Sequence, residues 1–147
     1  MLTVSDSAAS SAAAVSSTAP VSDAAPMRVI FIDDDNCVRS LVVQFLRKRG
    51  YVAEGFGSGK AALGWMARNQ CALAITDIMM GDTDGLEVIQ HIRRTYPKTK
   101  IIAVSGGDSR GNSYLHAARQ LGAANVISKP FTLAQLDAAV RQILGRE

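Results

Sequence analysis

The sequence predicts an α/β protein: a (βα)5 doubly wound parallel sheet. Two observations carry this reading. Short apolar runs recur five times from residue 28 onward, and segments of helical apolar spacing lie between them. Four of the five runs are apolar without alternation, as strands buried on both faces of a parallel sheet are. Strand–helix repeats joined by short links then set the strands parallel, with helices on both faces.

The first run is "RVIFI", residues 28–32. The helix after it carries Val38, Leu41, Val42, Phe45 and Leu46, one apolar stripe at i, i+3, i+4, i+7 and i+8. Asp35 and Asn36 read as its N-cap residues, "RKR" (Arg47–Arg49) as its cationic last turn, and Gly50 as its C′ residue. The second run, "YVAEGF" (51–56), is mixed and belongs at a sheet edge. Segment 58–69 is helix-compatible, with Ser58 as its cap. "CALAIT" (71–76) is the third run, and Leu86, Ile89 and Ile92 mark the third helix. "KIIAVS" (100–105), a helix-compatible 112–122 and "NVIS" (125–128) follow. The last helix starts at the N-cap Thr132, with Leu133, Leu136, Val140, Ile143 and Leu144 as its stripe. Five such units fit a flavodoxin-like sheet of strand order 2-1-3-4-5. Its ligands bind beyond the carboxyl ends of the strands, where the order reverses between strands 1 and 3.

The totals narrow the function. The chain has 147 residues, enough for one domain. Residues 1–26 are Ala/Ser-rich, hold Asp6 and Asp23, and contain no Lys or Arg. They lack the basic start and apolar core of a secretory signal and read as a disordered tail. The folded domain is expected over residues 27–147. There 16 basic residues face 11 acidic ones, and no helix concentrates them into a nucleic-acid reader, so no direct DNA binding is expected. No apolar run approaches the roughly 20 residues of a membrane span, so no membrane insertion is expected. Cys37 and Cys71 lack metal-ligand spacing and suggest free thiols in a reducing, cytoplasmic setting.

Chemistry collects at the strand ends. Strand 1 runs into Asp33 and Asp34, strand 3 ends at Asp77, strand 4 at Ser105 and strand 5 at Lys129, followed by Pro130. Strand 2 ends near Phe56 with nothing chemical. Crowded carboxylates need more counter-charge than one lysine supplies, and a hard divalent cation such as Mg²⁺ supplies two units through oxygen ligands. With a hydroxyl and an ammonium beside it, such a site suits a tetrahedral oxyanion, a phosphoryl group above all. A carboxylate within it can act as nucleophile and form an acyl phosphate. Asp77 is the candidate, being the lone strand-3 acid facing the strand-1 pair.

Other motifs carry blander readings. Asp82 and Asp84 of "GDTDG" read as turn and cap residues, because an EF-hand register would put Met80 and His91 at its first and last ligand positions. "GSGKAA" lacks the first glycine and the Ser/Thr of a P-loop. Ser105 has no G-x-S-x-G context, so a serine hydrolase is not expected. Cys37, Trp65 and Met66 read as packing residues, and His91 and His116 as exposed helix residues.

"VIFIDDDNCVRSLV", "ITDIMMGDTDGLEVIQHIR", "IIAVSGGD" and "LGAANVISKPF" resemble, in order, the motifs of the response-regulator receiver domain of two-component signalling. The resemblance covers residues 28 to about 144. It implies that Asp77 is the phosphoacceptor for a sensor histidine kinase or histidine phosphotransfer protein. It further implies Mg²⁺ held by Asp33, Asp34, Asp77 and the backbone carbonyl of Met79. Ser105 and Lys129 would contact phosphoryl oxygens, and Pro130 would follow a cis peptide bond.

The chain departs from the family pattern at three places. Val126 stands where an aromatic switch residue is usual, Gly81 replaces a proline, and Gly107 opens the rim of the site. Phosphorylation is expected to reshape the face formed by helix 4, strand 5 and helix 5, where a downstream protein would bind. Because the chain ends at Glu147, output is expected through a partner, a phosphorylation-dependent dimer or onward phosphotransfer from a monomer, with no output domain. Two other classes compete. One is a phosphorylation-independent binding module of the same fold. The other is a haloacid-dehalogenase-type phosphatase, whose Asp-x-Asp spacing Asp33 and Asp35 satisfy while leaving Asp77 unexplained.

Overall fold

A computed structural model describes residues 27–80, 85–106 and 116–145. Its elements are β1 (Arg28–Ile32), α1 (Asn36–Lys48), β2 (Val52–Phe56), α2 (Gly59–Met66), β3 (Leu73–Asp77), α3 (Gly85–Thr95), β4 (Lys100–Ser105), α4 (helical at 116–120), β5 (Asn125–Ser128) and α5 (Leu133–Leu144). The five strands form one parallel sheet in the order β2-β1-β3-β4-β5. This is the flavodoxin-like order expected from the sequence, with the mixed second run at one edge.

Alternation along the strands divides the core between two faces. Val29 and Phe31 point to the side of α1 and α5, where they join Val42, Leu46, Leu136 and Val140. Ile30 and Ile32 point to the side of α2, α3 and α4, among Met66, Val88, Ile89 and Ala118. Every residue of β3 is buried, as a central strand covered on both faces must be. Burial contributes about 1.5–3 kcal/mol for each large apolar side chain and holds both helix layers to the sheet. β5 is only half-buried, because it closes the opposite edge.

Three caps act as their sequences suggest. The Asp35 carboxylate accepts from the N–H groups of Cys37 and Val38, Ser58 Oγ from Ala61 N–H, and Thr132 closes a capping box with Gln135. Gly50 follows α1 with φ 93°, in the left-handed region where glycine carries no Cβ penalty.

The α1 stripe is corrected in detail. Leu41 is 56% exposed, and Val43 is buried in its place. The helix leans toward β2, as the approach of Val43 to Gly55 shows, and Leu41 rotates outward. Cys37 is exposed instead of packed, because it sits in the first turn of α1, ahead of the buried Val42, Val43 and Leu46. Met66 is buried and Trp65 half-buried, its ring 5.8 Å from that of Phe56. His116 is exposed, whereas His91 is half-buried beside Tyr96, their ring centroids 6.3 Å apart. Gly81, Asp82, Asp84 and Gly107 lie outside the described residues, as do the first positions of the expected fourth helix. Among the described residues no helix is long and apolar enough to cross a membrane.

Candidate functional site

The topology delivers the ends of β1 and β3 side by side, with β4 and β5 beyond β3. Asp33 follows β1 and is fully buried. Its N–H donates to the Phe56 carbonyl (3.0 Å), its Oδ1 accepts from Asp35 N–H (2.9 Å), and its Oδ2 accepts from Lys129 Nζ (2.9 Å). Asp34 is exposed. The three consecutive acids thus divide: Asp33 faces the interior, Asp34 the solvent side of the site, and Asp35 the helix.

Asp77 ends β3 and is 4% exposed. Its Oδ2 accepts from Lys129 Nζ (3.1 Å) and its Oδ1 from Met79 N–H (3.1 Å). Burial raises the pKa of the Asp77 carboxyl above 3.8, Lys129 works against that rise, and the nearby Asp33 charge adds to it. Burial works to lower the pKa of Lys129, but its hydrogen bonds and charge attraction to Asp33 and Asp77 outweigh it and leave the ammonium above 10.5. One ammonium therefore bridges two buried carboxylates.

Oxygens of Asp33, Asp34 and Asp77 all lie within 4.8 Å of one another. Opposite ligands of an octahedral Mg²⁺ stand about 4 Å apart, so this oxygen-only cluster is the right size and chemistry for a hard divalent cation. Met79 presents an exposed side chain at the rim, and its backbone N–H fixes Asp77. Ser105 is buried at the end of β4, one position beyond Val104, which pairs with Asp77. Its hydroxyl donates to the Gly106 carbonyl at 3.4 Å, a long bond that holds the hydroxyl lightly. Its carbonyl accepts from Lys129 N–H at 2.7 Å, tying β4 to the lysine. The Lys129–Pro130 peptide is cis. Val126 lies in β5, half-buried against the α2/α3/α4 side of the core.

Three residues were missed in the sequence. Arg39 donates to the Asp33 carbonyl and to Asn36 Oδ1. Asp137 is buried in the α5 stripe, 2.8 Å from Arg49 and 3.4 Å from Arg141. Gly85 opens α3 so close to β3 that a Cβ there would lie 2.5 Å from the Asp77 carbonyl oxygen. A polar residue interrupting an apolar stripe was the available signal for Asp137, and a glycine opening a helix for Gly85.

Comparison with known proteins gives the family. The family model "Response regulator receiver domain" matches residues 29–141. The response regulator MprA of Mycobacterium sp. (strain KMS) is 34% identical over 121 residues, covering 82% of this chain and 52% of MprA. The DNA-binding transcriptional regulator NtrC of Azospirillum brasilense is 31% identical, covering 80% of this chain and 24% of NtrC. A CheY-like response regulator receiver domain protein from Methanospirillum hungatei JF-1 superposes with a TM-score of 0.76 at 26% identity, over 82% of this chain and 95% of that one. The chain belongs to the response regulator receiver domain family. It spans about half the length of MprA.

Proposed function

We propose that this chain is a phosphoacceptor of a two-component phosphorelay, in which a phosphoryl group passes from a phosphohistidine to Asp77. The observation that carries the proposal is the single Lys129 ammonium bridging the buried Asp33 and Asp77. Two buried carboxylates that share the Lys129 ammonium, with the exposed Asp34 beside them, are suited to gain a cation and then an oxyanion.

Asp33, Asp34, Asp77 and the Met79 carbonyl are the residues assigned to hold Mg²⁺, which when bound neutralises charge on the carboxylates and on an incoming phosphoryl group. An Asp77 carboxylate oxygen attacks phosphorus, the N–P bond of the phosphohistidine breaks, and the imidazole leaves with the bonding pair and takes up a proton. The product is an acyl phosphate. Lys129 moves from its carboxylate bridge to one phosphoryl oxygen, and the lightly held Ser105 hydroxyl turns to another. The donor is a sensor histidine kinase or histidine phosphotransfer protein in the cytoplasm. The phosphorylated form signals through the α4–β5–α5 face to a protein partner or a second copy, without inserting in a membrane or touching DNA itself. With Val126 in place of an aromatic ring, this face responds differently, or more weakly, than where the ring is present. Residues 27–147 form the receiver domain, and residues 1–26 a tail outside it.

Incubation with Mg²⁺ and acetyl phosphate tests the assignment. One acid-stable, base-labile phosphoryl group per chain is expected, and none on Asp77→Asn. Absence of label from acetyl phosphate and from a panel of kinases would favour a phosphorylation-independent binding module. Repeated turnover of varied phosphomonoesters would favour a phosphatase.

A further inference from the structure

A guanidinium stands beside the acidic cluster and takes no part in the chemistry above. Arg39, on α1, donates from Nη1 to the backbone carbonyl of Asp33 at 2.7 Å and from Nη2 to Asn36 Oδ1. Its stem lies across the end of β2, where two glycines make room. A Cβ at Gly55 would stand 2.8 Å from Arg39 Cγ, and one at Gly57 3.2 Å from Nη1. Neither glycine adopts a left-handed backbone, so it is space rather than conformation that these positions supply. Between them, Phe56 accepts the N–H of Asp33. Asp33 is therefore held from both sides, its N–H by β2 and its C=O by Arg39. That carbonyl belongs to the peptide joining the two acids assigned to the cation.

We infer that Arg39 is a positioning residue for the divalent cation: it fixes the Asp33–Asp34 peptide so that both carboxylates converge, and Gly55 and Gly57 leave the room its side chain needs. The inference rests on the proposal that this cluster binds Mg²⁺. Mg²⁺ demands near-ideal octahedral geometry, so its affinity falls when ligands are loosely held. Outer partners of metal ligands typically contribute 10–100-fold in affinity. Charge alone would act in the opposite direction. A guanidinium beside the site repels a second cation, so removing a purely electrostatic Arg39 would tighten binding. Lysine keeps the charge and loses the planar fork, which separates the two roles.

The test is calorimetric titration of the full chain with Mg²⁺, in wild type, Arg39→Lys, Arg39→Met, Gly57→Ala and the Arg39→Met/Gly57→Ala double variant. Thermal melts in EDTA verify folding. Positioning predicts Kd raised about 10-fold in both Arg39 variants. It also predicts a raised Kd in Gly57→Ala that adds nothing in the Arg39→Met background, since only Arg39 atoms lie within 4 Å of a Cβ at Gly57. Binding in Arg39→Lys and Arg39→Met as tight as in wild type, or tighter, overturns this inference alone. Wild-type protein that takes up no Mg²⁺ overturns the functional reading and this inference with it.

Discussion

Asp33 and Asp77 share the Lys129 ammonium, 2.9 and 3.1 Å away, which offsets only part of the cost of burying an ionised Asp77 in the metal-free fold. Its carboxyl is raised in the folded state, mainly by burial. The fold therefore favours the protonated form more than the unfolded chain does. The stability it confers is complete below pH 3.8 and is lost as pH rises through the raised folded value. In EDTA, Asp77→Asn is expected to be more stable than wild type near neutral pH, with the gap closing as pH falls to 3.8. Thermal melts across pH check this. Mg²⁺ at about 100 times its Kd would stabilise wild type by about 2.7 kcal/mol and Asp77→Asn by less. At this scale the sequence was legible where reactive residue types end apolar runs: Asp33, Asp77, Ser105 and Lys129. Arg39 was not, because an arginine on a helix face shows nothing of the carbonyl it will meet.

The elements were legible in kind, and less so in rotation. Spacing placed α1 correctly but selected Leu41 over Val43, because a stripe of 100° steps does not say toward which strand the helix leans. Caps were clearer, since their chemistry is local. Thr132 bonds Gln135 in both directions, so Thr132→Ala is expected to cost about 1 kcal/mol, read as a lower urea midpoint at unchanged slope. Gly85 concerns the contact between two elements. A Cβ there would meet Ile78 Cα at 2.4 Å and the Asp77 carbonyl oxygen at 2.5 Å, both backbone atoms that cannot swing aside. Gly85→Ala is expected to destabilise by about 1–3 kcal/mol in the same assay. No periodicity argument reaches such a contact, which exists only once α3 docks on β3.

For the whole molecule, the strand order was legible because five apolar runs with intervening helices leave few topologies. The order in turn decided which strand ends would meet. The readout was less legible, because Val126 removes the residue by which it is usually recognised. A two-state receiver should still transmit a change at Asp77 across β4 and β5, which the Lys129 N–H to Ser105 carbonyl bond links. Beryllofluoride with Mg²⁺ is expected to shift amide resonances in α4, β5 and α5. Shifts confined to the Asp77 loop would count against this switching. The central claim is narrower, that Asp77 is the residue that takes the phosphoryl group. Borohydride reduces an aspartyl phosphate to homoserine, so peptide mass spectrometry after acetyl phosphate, Mg²⁺ and borohydride locates it. The account predicts homoserine at position 77 alone; phosphorylated protein with homoserine at another aspartate, or with position 77 unchanged, would contradict it.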